Sequence, residues 1–229
     1  MVDFLLIGAA AAIFVVAALA QAVTGFGSAL VAVPLLTLVT DAVTAVVVAT
    51  GVSLVLTSGA AWRERRHADV RAARALTVTG VLGMPAGLLV LQLLDESLLT
   101  GGIAAAMLVL VVLVASGLHV PQRALPVAGI ASGALLTSTG MNGPPLVMAL
   151  VEWEPLRYRA TLQVVFAGQD LAAVAAFAVL GLVDREALLL VAAGTAGLPI
   201  GWRVGDVVFH RIPPSRMRHV VVGGLVLTG

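Results

Sequence analysis

The chain has 229 residues, 60% hydrophobic and 11% charged, with a mean hydropathy of +1.10; this excludes an ordinary soluble domain and marks an integral membrane protein. Its formal net charge is +1 and it has no cysteine, so disulfides, thiolate chemistry and cysteine-based metal sites are excluded. No basic face suited to nucleic acid is present, and the value of the charges lies in where they sit.

Apolar runs of about 17 to 25 residues cross a bilayer as helices. The first candidate is Phe4 to Val23. It lacks a basic flank and a small-residue cleavage site followed by a soluble domain, so a removable signal peptide is not expected. "TGFGS" (Thr24 to Ser28) then interrupts the apolar stretch with two glycines a residue apart, at a depth where lipid offers the backbone no partner. Further spans are expected at Ala42 to Ala61, Ala75 to Leu94 and Ser97 to Leu118, with "WRERRHADVRAAR" (Trp62 to Arg74) between the first two. After the polar "HVPQR" (His119 to Arg123) two short apolar pieces, Ala124 to Ser138 and Pro144 to Val151, flank a second interruption, "TGMNG" (Thr139 to Gly143). Both pieces are too short to span at about 1.5 Å per residue. Spans at Ala160 to Leu182 and Glu186 to Trp202 follow. The last segment, Arg218 to Gly229, provides only about 18 Å of helix, so either the final span is incomplete or the natural chain continues.

Sliding the sequence against itself gives one repeat. "GVLGMPAG" (Gly80 to Gly87) returns as "GTAGLPIG" (Gly194 to Gly201) at a separation of 114, and "TGFGS" returns as "TGMNG" at 115. Glycine is 24 and proline 10 of the residues, so four matches in eight positions at one register are not expected by chance. Two copies of one unit follow, 1–118 and 125–229, joined by a loop at 119–124, as in many transporter folds. Gly83, Gly87, Gly197 and Gly201 are expected to let helices pack closely, with Pro85 and Pro199 kinking them.

Loops on the cytoplasmic side collect positive charge. If each interrupted segment crosses once, 7 of the 13 arginines share a side with the 62–74 loop, which is no bias. If each is a re-entrant hairpin, 12 of 13 do, and only Arg185 is opposite. The expected fold is therefore an all-α polytopic membrane protein of two inverted repeats, each a broken or re-entrant hairpin followed by three transmembrane helices. The first hairpin fits less well, since Phe4 to Val23 is long enough to cross. This orientation puts the 62–74 loop in the cytoplasm, Trp62, Trp153, Tyr158 and Trp202 at that boundary, and Asp41, Asp95, Glu96 and Asp184 outside.

A broken helix leaves unpaired N–H groups at the start of its second half, and the peptide dipoles place about half a positive charge there. Such an end suits an anion. The expected binding residues are Thr24, Gly25, Phe26, Gly27 and Ser28 at the first break and Thr139, Gly140, Met141, Asn142 and Gly143 at the second, with Ser138 a further hydroxyl. Asp170 is the acid nearest the centre of a span, beside Gln169 and after Gln163. It reads equally as a proton-coupling group or as a neutral carboxyl bonded to a neighbouring helix. Gln21, Thr50, Ser53 and Thr57 are weaker cavity candidates, because hydroxyls often bond their own helix. His67, His119, His210 and His219 fall in loops or at helix edges, so no metal site, cofactor or catalytic base is expected, and an intramembrane enzyme is disfavoured. The arginine-rich loop sets topology, or binds anionic lipid.

The segments "TGFGSALVAVPLL" (Thr24 to Leu36) and "TGMNGPPLVMAL" (Thr139 to Leu150), with the repeated G-x-x-G-x-P-x-G helices, resemble the TauE/SafE family of bacterial sulfite-exporter-like permeases across nearly the whole chain. The resemblance implies secondary transport of a small sulfur-containing anion, sulfite or an organosulfonate, across the bacterial cytoplasmic (inner) membrane. It carries the family's glycine-rich segments onto Gly25, Gly27 and Ser28 and onto Gly140, Asn142 and Gly143. Family members often have a denser glycine cluster than "GFGS" and "GMNG", which leaves the size of the ligand open. The expected partners are that small anion and the lipid bilayer, with homo-oligomer formation open; a passive anion channel is the alternative function.

Overall fold

The computed structural model describes residues 4–116 and 121–213; the expected final segment from Arg218 and two histidines, His119 and His219, lie outside the described residues. The described residues form helices and no strand: α1 (Phe4–Thr24), α2 (Ser28–Leu36), α3 (Ala42–Glu64), α4 (Val70–Leu93), α5 (Glu96–Ala115), α6 (Leu125–Thr139), α7 (Gly143–Leu150), α8 (Pro155–Val179) and α9 (Arg185–Arg211). Short 3-10 turns precede α4 and α6. Five helices, α1, α3, α4, α8 and α9, are long and apolar enough to cross a membrane.

Capping separates two kinds of helix start. Asp41, Asp69, Asp95, Glu154 and Asp184 each accept backbone N–H groups in the first turn of α3, α4, α5, α8 and α9, satisfying donors that a helix leaves orphaned and favouring the positive end of its dipole. The short helices α2 and α7 have no side-chain cap at their N-caps, Gly27 and Asn142, and neither does α6 at Ala124.

Contacts along the chain give the helix directions. α1 and α9 run parallel, pairing Ala11 with Gly197, Val15 with Gly201 and Leu19 with Gly205. α3 runs the same way, since Gly51 meets Val191 and Val52 meets Gly194. A second set is also mutually parallel: Gly129 of α6 lies on Thr79 and Thr137 bonds the Met84 carbonyl of α4, while Asp69 and Leu76 of α4 pair with Thr161 and Gln169 of α8. The two sets oppose one another, because α3 meets α8 through Ser53 with Asp170 and through Glu64 with Arg159.

The glycines of the repeated motif lie at the closest approaches. A Cβ on Gly83 or Gly87 would collide with the Ile130 or Ala134 carbonyl of α6, and one on Gly201 with the Val15 carbonyl of α1. Small residues allow backbones this near where no water competes. Pro85 and Pro199 lie inside α4 and α9, which continue across them.

The aromatic residues expected at the boundary differ in exposure. Tyr158 and Trp202 are 3% and 7% exposed, packed among helices, whereas Trp62 is 69% exposed. Arg159, just ahead of the span expected from Ala160, lies inside α8, which begins at Pro155, and is 1% exposed.

Candidate functional site

Both breaks are built alike. Gly25 and Gly140 take the left-handed backbone, φ 84° and 76°, and their N–H groups bond the carbonyls of Gln21 and Leu136 at 2.7 and 2.9 Å, ending α1 and α6 as glycine commonly does. Thr24 and Thr139 each donate a hydroxyl to the carbonyl four residues back, at 2.9 and 2.8 Å. The same oxygens accept from Phe26 N–H and Met141 N–H, both at 3.4 Å. These threonines and glycines therefore turn the chain. Ser138 likewise bonds its own helix, at the Ala134 carbonyl, as does Thr50 at Val46.

Carbonyls released by the breaks are taken up by side chains. Arg159 Nη1 donates to the Ala22 carbonyl at 3.0 Å, Gln163 Nε2 to the Gly25 carbonyl at 3.0 Å, and Ser132 Oγ to the Asn142 carbonyl at 2.9 Å. Gln21 Nε2 donates to Gln163 Oε1 at 3.1 Å. What remains is the donor side. The starts of α2 and α7 face one small cavity bounded by Gly27, Ser28, Met141, Asn142, Gly143 and Phe166, with Gln21 and Ser53 also on its wall. Ser28 Oγ has no partner among the described residues. The cavity is about 10 Å³, room for a single water. Phe26 packs on Gly143, so the tips touch.

The breaks enter at different levels. α1 has 21 residues against 15 for α6, and its tip reaches Arg159 and Gln163 at the start of α8, whereas Asn142 sits beside Gln169 and Asp170 two turns further along.

Asp170 is fully buried behind the cavity. It accepts from Ser53 Oγ at 2.7 Å, Thr57 Oγ1 at 3.2 Å and Asn142 Nδ2 at 3.4 Å. Two of these donors, Ser53 and Asn142, also line the cavity, so the carboxyl touches the site through them. Gln169 joins Ser132 and Asn142 to the Leu76 carbonyl.

Arg159 was missed as a structural centre. It pairs with Glu64 and with Asp206, the latter at 2.8 Å, and stacks 3.7 Å from the Phe209 ring centre, joining α1, α3, α8 and α9. A signal existed: Arg159, Gln163 and Asp170 share one face at helical spacing, interrupted by Phe166, on a largely apolar helix.

A model of the family "Sulfite exporter TauE/SafE" matches residues 10–229. The chain belongs to the TauE/SafE family. Curated proteins and solved structures gave no significant match. As a TauE/SafE member with five helices among its described residues long and apolar enough to span, it is a multi-pass membrane protein of an anion-transporter family. Among the described residues of this TauE/SafE protein, no group of His, Asp and Glu is arranged to hold a metal ion.

Proposed function

We propose that the protein is a secondary transporter of a small sulfur-containing anion, sulfite or an organosulfonate, working by alternating access around the two chain breaks. The observation that carries this reading is the pair of uncapped helix starts facing one cavity. Two such ends supply a positive field with no buried ammonium, and the unpartnered hydroxyl of Ser28 adds a directed donor, while the amide of Asn142 is held by Gln169 and Asp170.

The helix directions support two inverted halves. α1 and α3 run the same way, so α2 returns toward the side from which α1 starts; α6 and α8 run the same way, so α7 does likewise. The corresponding helices of the halves, α1 and α6, α3 and α8, α4 and α9, point oppositely. Packing also exchanges between halves, with α1 on α9 answering α6 on α4. Such halves commonly rock about a site at their interface. A cavity the size of one water must open before an anion enters, which favours alternating access over a standing pore.

Asp170 provides the coupling. Ionised, it holds the donors of Ser53 and Asn142 and repels an anion beside them; protonated, it gives up the repulsion. Proton and anion then occupy the site together. The arginine-rich stretch 62–74, which is the end of α3, a short turn and the start of α4 rather than one loop, faces the cytoplasm of a bacterial inner membrane in this reading.

The test is sulfite flux in proteoliposomes. A transporter shows acceleration by sulfite on the opposite face and dependence on a pH gradient, whereas electrogenic flux without such acceleration makes it a channel. Thermal stabilisation by sulfite, thiosulfate, sulfate and sulfonates ranks the substrates.

A further inference from the structure

We propose that a crevice between α3 and α9 holds an anionic phospholipid, with its phosphate between Arg63 and Arg203 and an acyl chain along the apolar wall. The two helices touch at Val52 and Gly194. Toward their C-terminal ends lies a crevice of about 270 Å³, walled by Val55, Leu198, Pro199 and Trp202 and ending at Arg63 and Arg203.

The chemistry of the two ends selects the occupant. Val55 and Pro199 are exposed to the side, at positions inside two apolar spanning helices, so this part of the crevice opens toward acyl chains rather than water. Arg63 and Arg203 are exposed, and neither has an ion-pair or hydrogen-bond partner among the described residues. By contrast, Arg65 lies over Trp62, and Arg157 pairs with Asp69. The carboxylates next along these helices, Glu64 and Asp206, are held by Arg159 and leave the two guanidinium charges uncompensated. A free inorganic anion leaves the apolar wall uncovered, and a zwitterionic lipid offsets the attraction with its own cation. Basic pockets between spanning helices commonly take anionic headgroups.

The experiment is titration of the purified protein in neutral detergent with phosphatidylglycerol, with phosphatidylcholine of the same chains, and with inorganic phosphate, read by native mass spectrometry. An arginine near a membrane surface strengthens anionic-lipid attraction about fivefold, so Arg63→Gln with Arg203→Gln is expected to lose about 30-fold in phosphatidylglycerol affinity, falling to the phosphatidylcholine level. Val55→Trp, which fills the crevice and keeps both charges, is expected to lower lipid retention as well. Sulfite-dependent stabilisation should persist in all these variants, which separates this site from the one between the breaks. Equal binding of the two lipids, undiminished phosphatidylglycerol binding in the double variant, or phosphate binding as tight as lipid overturns the assignment.

Discussion

The ring of Phe26 lies so close to Gly143 that a Cβ added there would stand 2.9 Å from Phe26 Cδ2 and 3.3 Å from Phe26 Cβ. This contact joins the tip of one break to the start of the helix that leaves the other. Gly143→Ala is expected to push the tips apart, costing about 1 to 3 kcal/mol of stability as overpacking does, and to slow sulfite flux by more than about tenfold. Adding Phe26→Leu should restore part of both. A double variant no better than Gly143→Ala in flux and melting would count against the contact.

Gly25 and Gly27 separate strain from function. Both have positive φ, 84° and 97°. A methyl at Gly25 would also meet Tyr158 Cε1 at 3.2 Å, while at Gly27 the nearest atoms are at 3.9 Å. Gly27→Ala is therefore expected to cost only the left-handed penalty, about 1 to 2 kcal/mol, yet to abolish thermal stabilisation by sulfite. Gly25→Ala should lower the melting temperature further. If Gly27→Ala retains full sulfite stabilisation, the start of α2 does not bind the anion.

Asp170→Asn preserves the shape of the buried carboxyl while removing its charge. It is expected to melt near the wild type, to keep sulfite exchange between equal pH compartments, and to lose uptake driven by a pH gradient. Gradient-driven uptake at the wild-type rate would place coupling elsewhere.

Removing Arg159 leaves Glu64 and Asp206 without their cation and the Ala22 carbonyl without its donor. Arg159→Met is expected to destabilise by about 3 to 5 kcal/mol, the cost of an uncompensated buried charge. Pairing it with Glu64→Gln should recover part of this, as measured by denaturation in detergent. By contrast, Arg65→Ala touches neither break and should leave sulfite stabilisation unchanged.

Asp69 is expected to make part of the stability depend on pH. The Ala72 N–H at the start of α4, then the Arg157 guanidinium, hold its carboxyl below the usual carboxylate range. A depressed folded-state value gives stability present above the unfolded value, about 3.9, and lost as pH falls through the folded one. Asp69→Asn keeps the cap and loses the charge. Its melting temperature should lie below wild type at pH 6, with the gap closing below about pH 4; Asp69→Ala, which loses the cap, should cost about 1 kcal/mol. A gap independent of pH would remove the charge from the account.

Much of the site was legible because a glycine pair inside an apolar run has few physical explanations. Thr24 to Ser28 and Thr139 to Gly143 stood out through their repetition, and Asp170 through the rarity of an acid at that depth. Roles within those stretches were not legible. Nothing in "TGFGS" says that Thr24 spends its hydroxyl on the Ala20 carbonyl while Ser28 keeps its own free beside the cavity; that depends on which way each break turns. Hydropathy counts the charge of Arg159 as solvated and starts the span after it, and only Glu64, Asp206 and Ala22 converging from three other helices make its burial tolerable.

By itself the sequence determined that this chain resides in a membrane as helices and where two of them must break, because those outcomes follow from local apolar length and the backbone freedom of glycine. Only the tertiary structure decided that the breaks touch through Phe26 and Gly143, that Asn142 and Ser53 link the cavity to Asp170, and that the cavity is the size of one water. Those relationships join residues up to 117 positions apart, and long-range contact is set by how helices pack against one another, not by the pattern along any one of them.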